Sequence, residues 1–255
     1  MMKRYFLLLL SFLASAIGIS QNLFPLPATD GRKLFDSVAQ IRKEGLYEMY
    51  ETRTGTTSNF INGRDYVPYY MRSRFKPILR PGEKRLSSIV FNGRRYDGLE
   101  LQYDTFKDQV IYTNDTLIYN SIPYMVSINR DYIERFDLYF PQDTMTFRYL
   151  RGNDDPSFNL KEGFYEVVYS NKCTCLIKYT SSCSSMNGVF EYYQAKTTYV
   201  KAGSQFSRVT SQRQFIRLFG EKSDQVRHFM QVNSIKLRKA GRKELAGILS
   251  FYEHL

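Results

Sequence analysis

Histidine and tryptophan are almost missing from this chain, and what is missing narrows its chemistry first. Of 255 residues two are histidine, none is tryptophan and three are cysteine. His228 and His254 both lie near the C-terminus, and Asp224, one helical turn before His228, orients at most a ring on a helix surface. There is no Gly-x-Ser-x-Gly elbow, no His-Glu-x-x-His pair, no phosphate-cradling glycine loop and no dinucleotide fingerprint. Cys173, Cys175 and Cys183 have no fourth ligand near them in sequence, so a thiolate metal site is not expected. Neither metal nor cofactor is expected, and the chain reads as non-enzymatic.

A second long hydrophobic run is also missing. Residues 1–20 begin with Lys3-Arg4, continue through a leucine-rich apolar run and end in small residues, which is the pattern of a secretory signal peptide. Cleavage is expected before Ile17 or Gln21. Nothing downstream reaches the roughly 18 apolar residues of a membrane span, so the mature chain is expected to carry no transmembrane segment. The expected location is periplasmic or extracellular.

Acidic residues are outnumbered. The formal net charge is +11, and it stays at +9 without Lys3 and Arg4. Much of the excess falls late: residues 201–255 hold five lysines and six arginines against Glu221, Asp224, Glu244 and Glu253. Outside the cytoplasm a basic surface draws acidic glycans and anionic lipid headgroups. Nucleic acid is not expected, because Phe215, Phe219, Phe229 and Phe251 stand at core-like helical spacing rather than as stacking platforms.

What the chain does have is alternation. It carries 21 tyrosines and 19 phenylalanines, residues suited to sheets with one packed and one wet face. Asn92-Gly93 is a two-residue hairpin turn, and the polar loop from Asp104 to Asp108 separates Leu99–Tyr103 from Gln109–Tyr112. Further candidate strands follow down to about Val209, with no long helix between them. The expected fold is mainly β, an antiparallel meandering barrel or sandwich over residues 44–209, preceded by an N-terminal segment 21–43 with a short helix from Arg32 to Lys43. From 210 to 255 the period becomes helical. Ser211 and Ser223 are placed to cap two helices and Arg242–Glu253 forms a third, giving a small basic three-helix cap.

Three groups of candidate site residues stand out. The segment Pro68–Gly82 sets Arg72, Arg74, Lys76 and Arg80 among Tyr69, Tyr70, Met71 and Phe75, a basic and aromatic face fit for an anionic ligand. Cys175 and Cys183 are expected to form a disulfide, with Cys173–Cys183 as the alternative, because the serine run 181–185 reads as a turn that swings Cys183 back over the strand. Asp97, Glu100, Asp104 and Asp108 cluster around one hairpin and Asp154-Asp155 stand in a loop; turn formation and solvent exposure account for them, although a carboxylate-dependent hydrolase needs only two such groups.

The signal peptide, the Asn-Gly-Arg-x-Tyr hairpins, the run Gly163–Tyr169 and the tail from Phe219 through Asn233 to Leu237 together resemble a broad group of uncharacterised secreted β-rich proteins of Bacteroidota. The resemblance implies an envelope address and carries no catalytic residues. It also implies O-glycosylation at Asp-Ser/Thr sites, for which Ser37, Thr116 and Thr144 qualify, the last two placed in turns. The expected function is a non-enzymatic envelope protein that binds a protein partner or an anionic envelope glycan or lipid; the alternative is a β-barrel carrier of a small apolar ligand.

Overall fold

The computed structural model describes residues 63–69, 73–82, 86–119, 122–141, 143–152 and 159–255. The chain divides into two compact units, 1–56 and 57–255, and every described residue lies in the second. The signal peptide, the helix expected from Arg32, Ser37, Arg72 and Asp154-Asp155 lie outside the described residues.

The protein is mainly β. Its strands are β1 (Arg64–Asp65), β2 (Ser73–Arg74), β3 (Leu86–Phe91), β4 (Arg94–Asp104), β5 (Gln109–Tyr119), β6 (Ile122–Ser127), β7 (Ile133–Phe140), β8 (Asp143–Leu150), β9 (Gly163–Ser170), β10 (Thr174–Met186), β11 (Val189–Lys201) and β12 (Ser207–Val209). Eleven of them form one antiparallel sheet in the order β1-β6-β5-β4-β3-β7-β8-β9-β10-β11-β12, which does not close on itself among the described residues; β2 joins β11 in parallel. The turns follow local chemistry. Asn92 and Gly93 take φ of 51° and 77°, and Asn187 and Gly188 take 54° and 72°, the double positive φ that a two-residue hairpin needs.

The sheet curls. Along its hydrogen-bonded path β3, β7 and β8 separate β4 and β5 from β9 and β10, yet Asp108, in the β4–β5 turn, accepts from Lys178 Nζ of β10 at 2.8 Å and from Tyr103 Oη at 2.6 Å. Gly163 permits this approach: its φ is 149°, and a Cβ there would collide with the Asp108 carboxylate and the Lys178 ammonium. The enclosed face is filled by side chains. Tyr103, Phe136, Phe147 and Phe164 are fully buried, with Phe136 and Phe147 stacked at 4.7 Å.

After Val209 come α1 (Gln212–Arg217), α2 (Ser223–Val232) and α3 (Arg242–Glu253). Ser211 caps α1 as expected, its side chain accepting from Gln214 N. Ser223 does not cap α2. A 3-10 turn, Gly220–Lys222, runs directly into the helix, and Ser223 is its first residue. The apolar sides of the helices pack on the sheet: Phe215, Phe219, Val226, Met230, Leu245, Ile248 and Leu249 share one core with Cys173, Cys175, Ile177 and Val200. Glu253 fastens the last turn, accepting from Tyr169 Oη, Asn171 Nδ2 and the Cys173 backbone N–H.

The disulfide expectation is corrected. Cys175 and Cys183 are free thiols on one unbroken strand, opposite Val200 and Tyr192 of β11. Eight residues of strand span about 26 Å, far beyond the roughly 7 Å limit between bridged Cα atoms. Cys173 is free as well. The serine run does not turn, because Asn187-Gly188 provides the reversal two residues after its end and residues 181–185 extend the pleated arm. Thr116 and Thr144 also sit in strands, β5 and β8, rather than in turns.

Candidate functional site: a pocket beneath a strap

Between β2 and β3 the chain crosses the end of the sheet as a strap, residues 76–82, held by backbone bonds that sequence spacing does not reveal. Pro77 O accepts from Thr105 N at 2.8 Å and from Thr105 Oγ1 at 2.9 Å. Leu79 N donates to Tyr103 O at 2.9 Å, and Gln194 Nε2 of β11 donates to Ile78 O at 2.7 Å. A second clamp holds the segment leading into it. Asp104, fully buried, accepts from Tyr66 Oη at 3.0 Å, from Tyr69 Oη at 2.7 Å and from the backbone N–H groups of Phe106 and Lys107 at 2.9 Å each. Burial, and then the Asp104 carboxylate, push both phenols well above their ordinary range, so both remain donors.

Beneath the strap lies a pocket of about 380 Å³. Ile78, Leu79, Pro81, Leu101, Leu138 and Phe140 make its apolar walls, Ser87, Glu100 and Gln102 its polar ones, and Lys76 and Arg80 bring cations. Two of the four basic residues picked out by sequence therefore converge on one cavity. Of Arg74 only the backbone in β2 is described. Lys76 is exposed and has no ion-pair partner among the described residues. Arg80 lies 4.2 Å over the Phe140 ring, with Nη2 3.5 Å from Asp143 Oδ2. Its φ is +48°, a left-handed conformation costing about 1–2 kcal/mol for a residue with a Cβ. Such strain persists where the surroundings hold it, and here Arg80 is held over the Phe140 ring beside the pocket that both residues line.

Behind Arg80 runs a charge network that joins helix to sheet. Asp143 pairs with both Arg80 and Arg242, the first residue of α3. Arg242 Nη1 reaches Glu166 Oε1 at 2.5 Å and Thr144 O at 3.1 Å, and Tyr179 Oη donates to Glu166 Oε2 at 2.8 Å. Glu166 is 1% exposed. Burial pushes its carboxyl up to about 7 against the pull of Tyr179, Arg80 and Lys196. A raised carboxyl is often a catalytic signature, but Glu166 is not among the residues lining the pocket and its carboxylate is bonded to Arg242 and Tyr179, the arrangement of a structural ion pair.

Three of the acids singled out in the sequence also have structural partners. Asp104 and Asp108 organise their turn, as expected, and Asp97 pairs with Arg95 at 2.9 Å. Glu100 is the one carboxylate among the pocket-lining residues. Asp224 pairs with Arg227 at 2.6 Å rather than with His228, and His254 Nδ1 lies 2.7 Å from Ser250 O. Thr144 is exposed, and its carbonyl holds Arg242. Sequence reasoning missed the Glu166–Arg242–Asp143 network and the Asp104 clamp of Tyr66 and Tyr69, whose side-chain partners stand 35 to 99 residues apart. Compared with known proteins, the chain matches no family model, no curated protein and no solved structure.

Proposed function

We propose that this is an exported, non-catalytic envelope protein that binds an anionic component, glycan or lipid, at the pocket beneath the strap. The observation that carries the reading is the convergence of Lys76 and Arg80 on one cavity. Lys76 has no ion-pair partner among the described residues, and the exposed Arg80–Asp143 contact at 3.5 Å is of a kind worth little in water, so an anion exchanges readily for Asp143. Electrostatic attraction by the basic surface adds to the encounter rate. The carrier reading placed an apolar ligand in the mouth of a barrel and needs an interior left open by side chains. Tyr103, Phe136, Phe147 and Phe164 fill that interior, which favours the strap pocket as the place for a ligand. The resemblance to secreted proteins of Bacteroidota supports the envelope address.

The test is calorimetric titration of the mature protein with inorganic phosphate and with heparin as a model polyanion, at low and high salt. Binding that weakens with salt and is lost in Lys76→Gln/Arg80→Gln supports the proposal. Absent binding, or binding unaffected by that double substitution, refutes it.

A further inference from the structure

The pocket's walls say more about its occupant than its charge does. Six of the twelve residues around it, Ile78, Leu79, Pro81, Leu101, Leu138 and Phe140, are apolar; Pro81 is exposed and Phe140 half-buried, while Ile78, Leu79, Leu101 and Leu138, buried in the sheet and strap, offer their edges. A free inorganic anion or a sugar phosphate would leave that surface facing water. Lys76 and Arg80, by contrast, lie on the strap that covers the pocket, Lys76 exposed and Arg80 spread over the Phe140 ring. Apolar walls with a few placed polar groups are the usual makeup of a small-ligand site, and the charges here stand on one element of it.

We propose that the pocket binds an anionic amphiphile, a single short acyl or alkyl chain lying against Leu79, Leu101, Leu138 and Phe140 with its carboxylate or phosphate head held by Lys76 and Arg80. The inference rests on the anion-binding reading above and names the ligand's class. Capacity sets the chain length: at roughly 30 Å³ for each non-hydrogen atom, the share of one water in the liquid, a cavity of about 380 Å³ holds roughly a dozen such atoms, the size of octanoate to decanoate. Glu100 has an interaction of its own and stands on the strand side of the pocket, on β4, while both cations stand on the strap. The pocket therefore has a polarity, and a bound amphiphile has one orientation.

The experiment is a titration series on the mature protein with acetate, butanoate, hexanoate, octanoate and decanoate, with octyl phosphate for the alternative head and octyl glucoside for a neutral one. Affinity is expected to rise about fourfold per methylene and to level off near decanoate, with both anionic heads binding more tightly than the neutral one. Lys76→Gln, at an exposed position that leaves folding untouched, is expected to weaken octanoate and spare octyl glucoside. Leu138→Phe, checked for folding by circular dichroism, is expected to shorten the longest chain accepted. If phosphate and heparin bind through Lys76 and Arg80 while chain length changes nothing, the amphiphile proposal falls and anion binding stands. If no anion binds, both fall; if octyl glucoside equals octanoate, the assignment of the head group to Lys76 and Arg80 is wrong.

Discussion

Replacing Arg242 by methionine removes the guanidinium that holds α3 to the sheet while keeping most of the side-chain bulk, and its consequence is pH-dependent in a calculable direction. In the native protein Arg242 Nη1 sits 2.5 Å from a carboxylate that is 1% exposed. Removing one partner of such a buried pair costs about 3–5 kcal/mol when the other stays charged. Glu166 has an escape, which is to take up a proton. Burial already raises its carboxyl from 4.5 to about 7, and without the guanidinium the group lies at or above that value. A carboxyl raised in the folded state contributes stability that is intact below its ordinary value and lost as the pH climbs through the raised one. Over the window from 4.5 to about 7, at about 1.4 kcal/mol per pH unit, the loss is about 3 kcal/mol. Wild type already carries that loss, because the raised carboxyl is its own. Removing Arg242 raises the group further, so urea unfolding followed by circular dichroism is expected to show Arg242→Met impaired by about 1 kcal/mol at pH 5, for the lost bonds to Thr144 and Asp143. The gap to wild type should widen only as the pH passes about 7, toward the cost of about 3–5 kcal/mol for a stranded buried charge. Adding Glu166→Gln should flatten that pH dependence. Equal destabilisation at pH 5 and pH 8, or a flat profile in the single variant, would refute the assignment of Glu166 as the buried charge that Arg242 offsets.

Three other outcomes follow from the same geometry. Gly163→Ala drives a Cβ into the Asp108–Lys178 pair and should destabilise the fold by about 2–3 kcal/mol in urea unfolding; a change below about 0.5 kcal/mol would mean that the β4–β5 turn does not dock on β9 and β10. Burial tends to raise the Glu253 carboxyl, but bonds from Cys173, Tyr169 and Asn171 outweigh it and hold the group below its ordinary 4.5. The stability it contributes is thus present above that value and lost as the pH falls through the depressed one, so Glu253→Gln should melt earlier than wild type at pH 7 and the gap should close in acid. For the thiols, Cys183 is exposed while Cys173 and Cys175 are buried, and burial pushes Cys175 up to about 12; a thiol reagent should titrate one cysteine in the native protein and three after unfolding, whereas a single reactive thiol after unfolding would reveal a disulfide.

The local parts of this fold were legible because local residues decide them. Asn92-Gly93 and Asp104–Asp108 determine their turns through their own backbone preferences, and the helical spacing of Leu245, Ile248 and Leu249 sets the buried side of α3. The failures share a cause. Serine favours turns, yet residues 181–185 lie within a hairpin whose reversal belongs to Asn187-Gly188, and cross-strand pairing outweighed the single-residue preference. The sheet order was not legible either, since β3 lies between β4 and β7 through pairings such as Ser88 with Asp137 that no local pattern encodes. The site was half legible: Lys76 and Arg80 stood out by charge, but their apolar neighbours Leu101 and Leu138 read only as core residues until the strap brought them together.

The most direct measurement is a two-dimensional amide NMR titration of the isotopically labelled mature protein with octanoate. The account predicts saturable shifts confined to residues 76–82 and to Leu101, Leu138 and Phe140 around the pocket, with the α1–α3 amides unmoved apart from those beside Arg242. Shifts centred on the basic helical tail, on Arg213, Arg217 and Lys236 for example, with the strap unchanged, would contradict it.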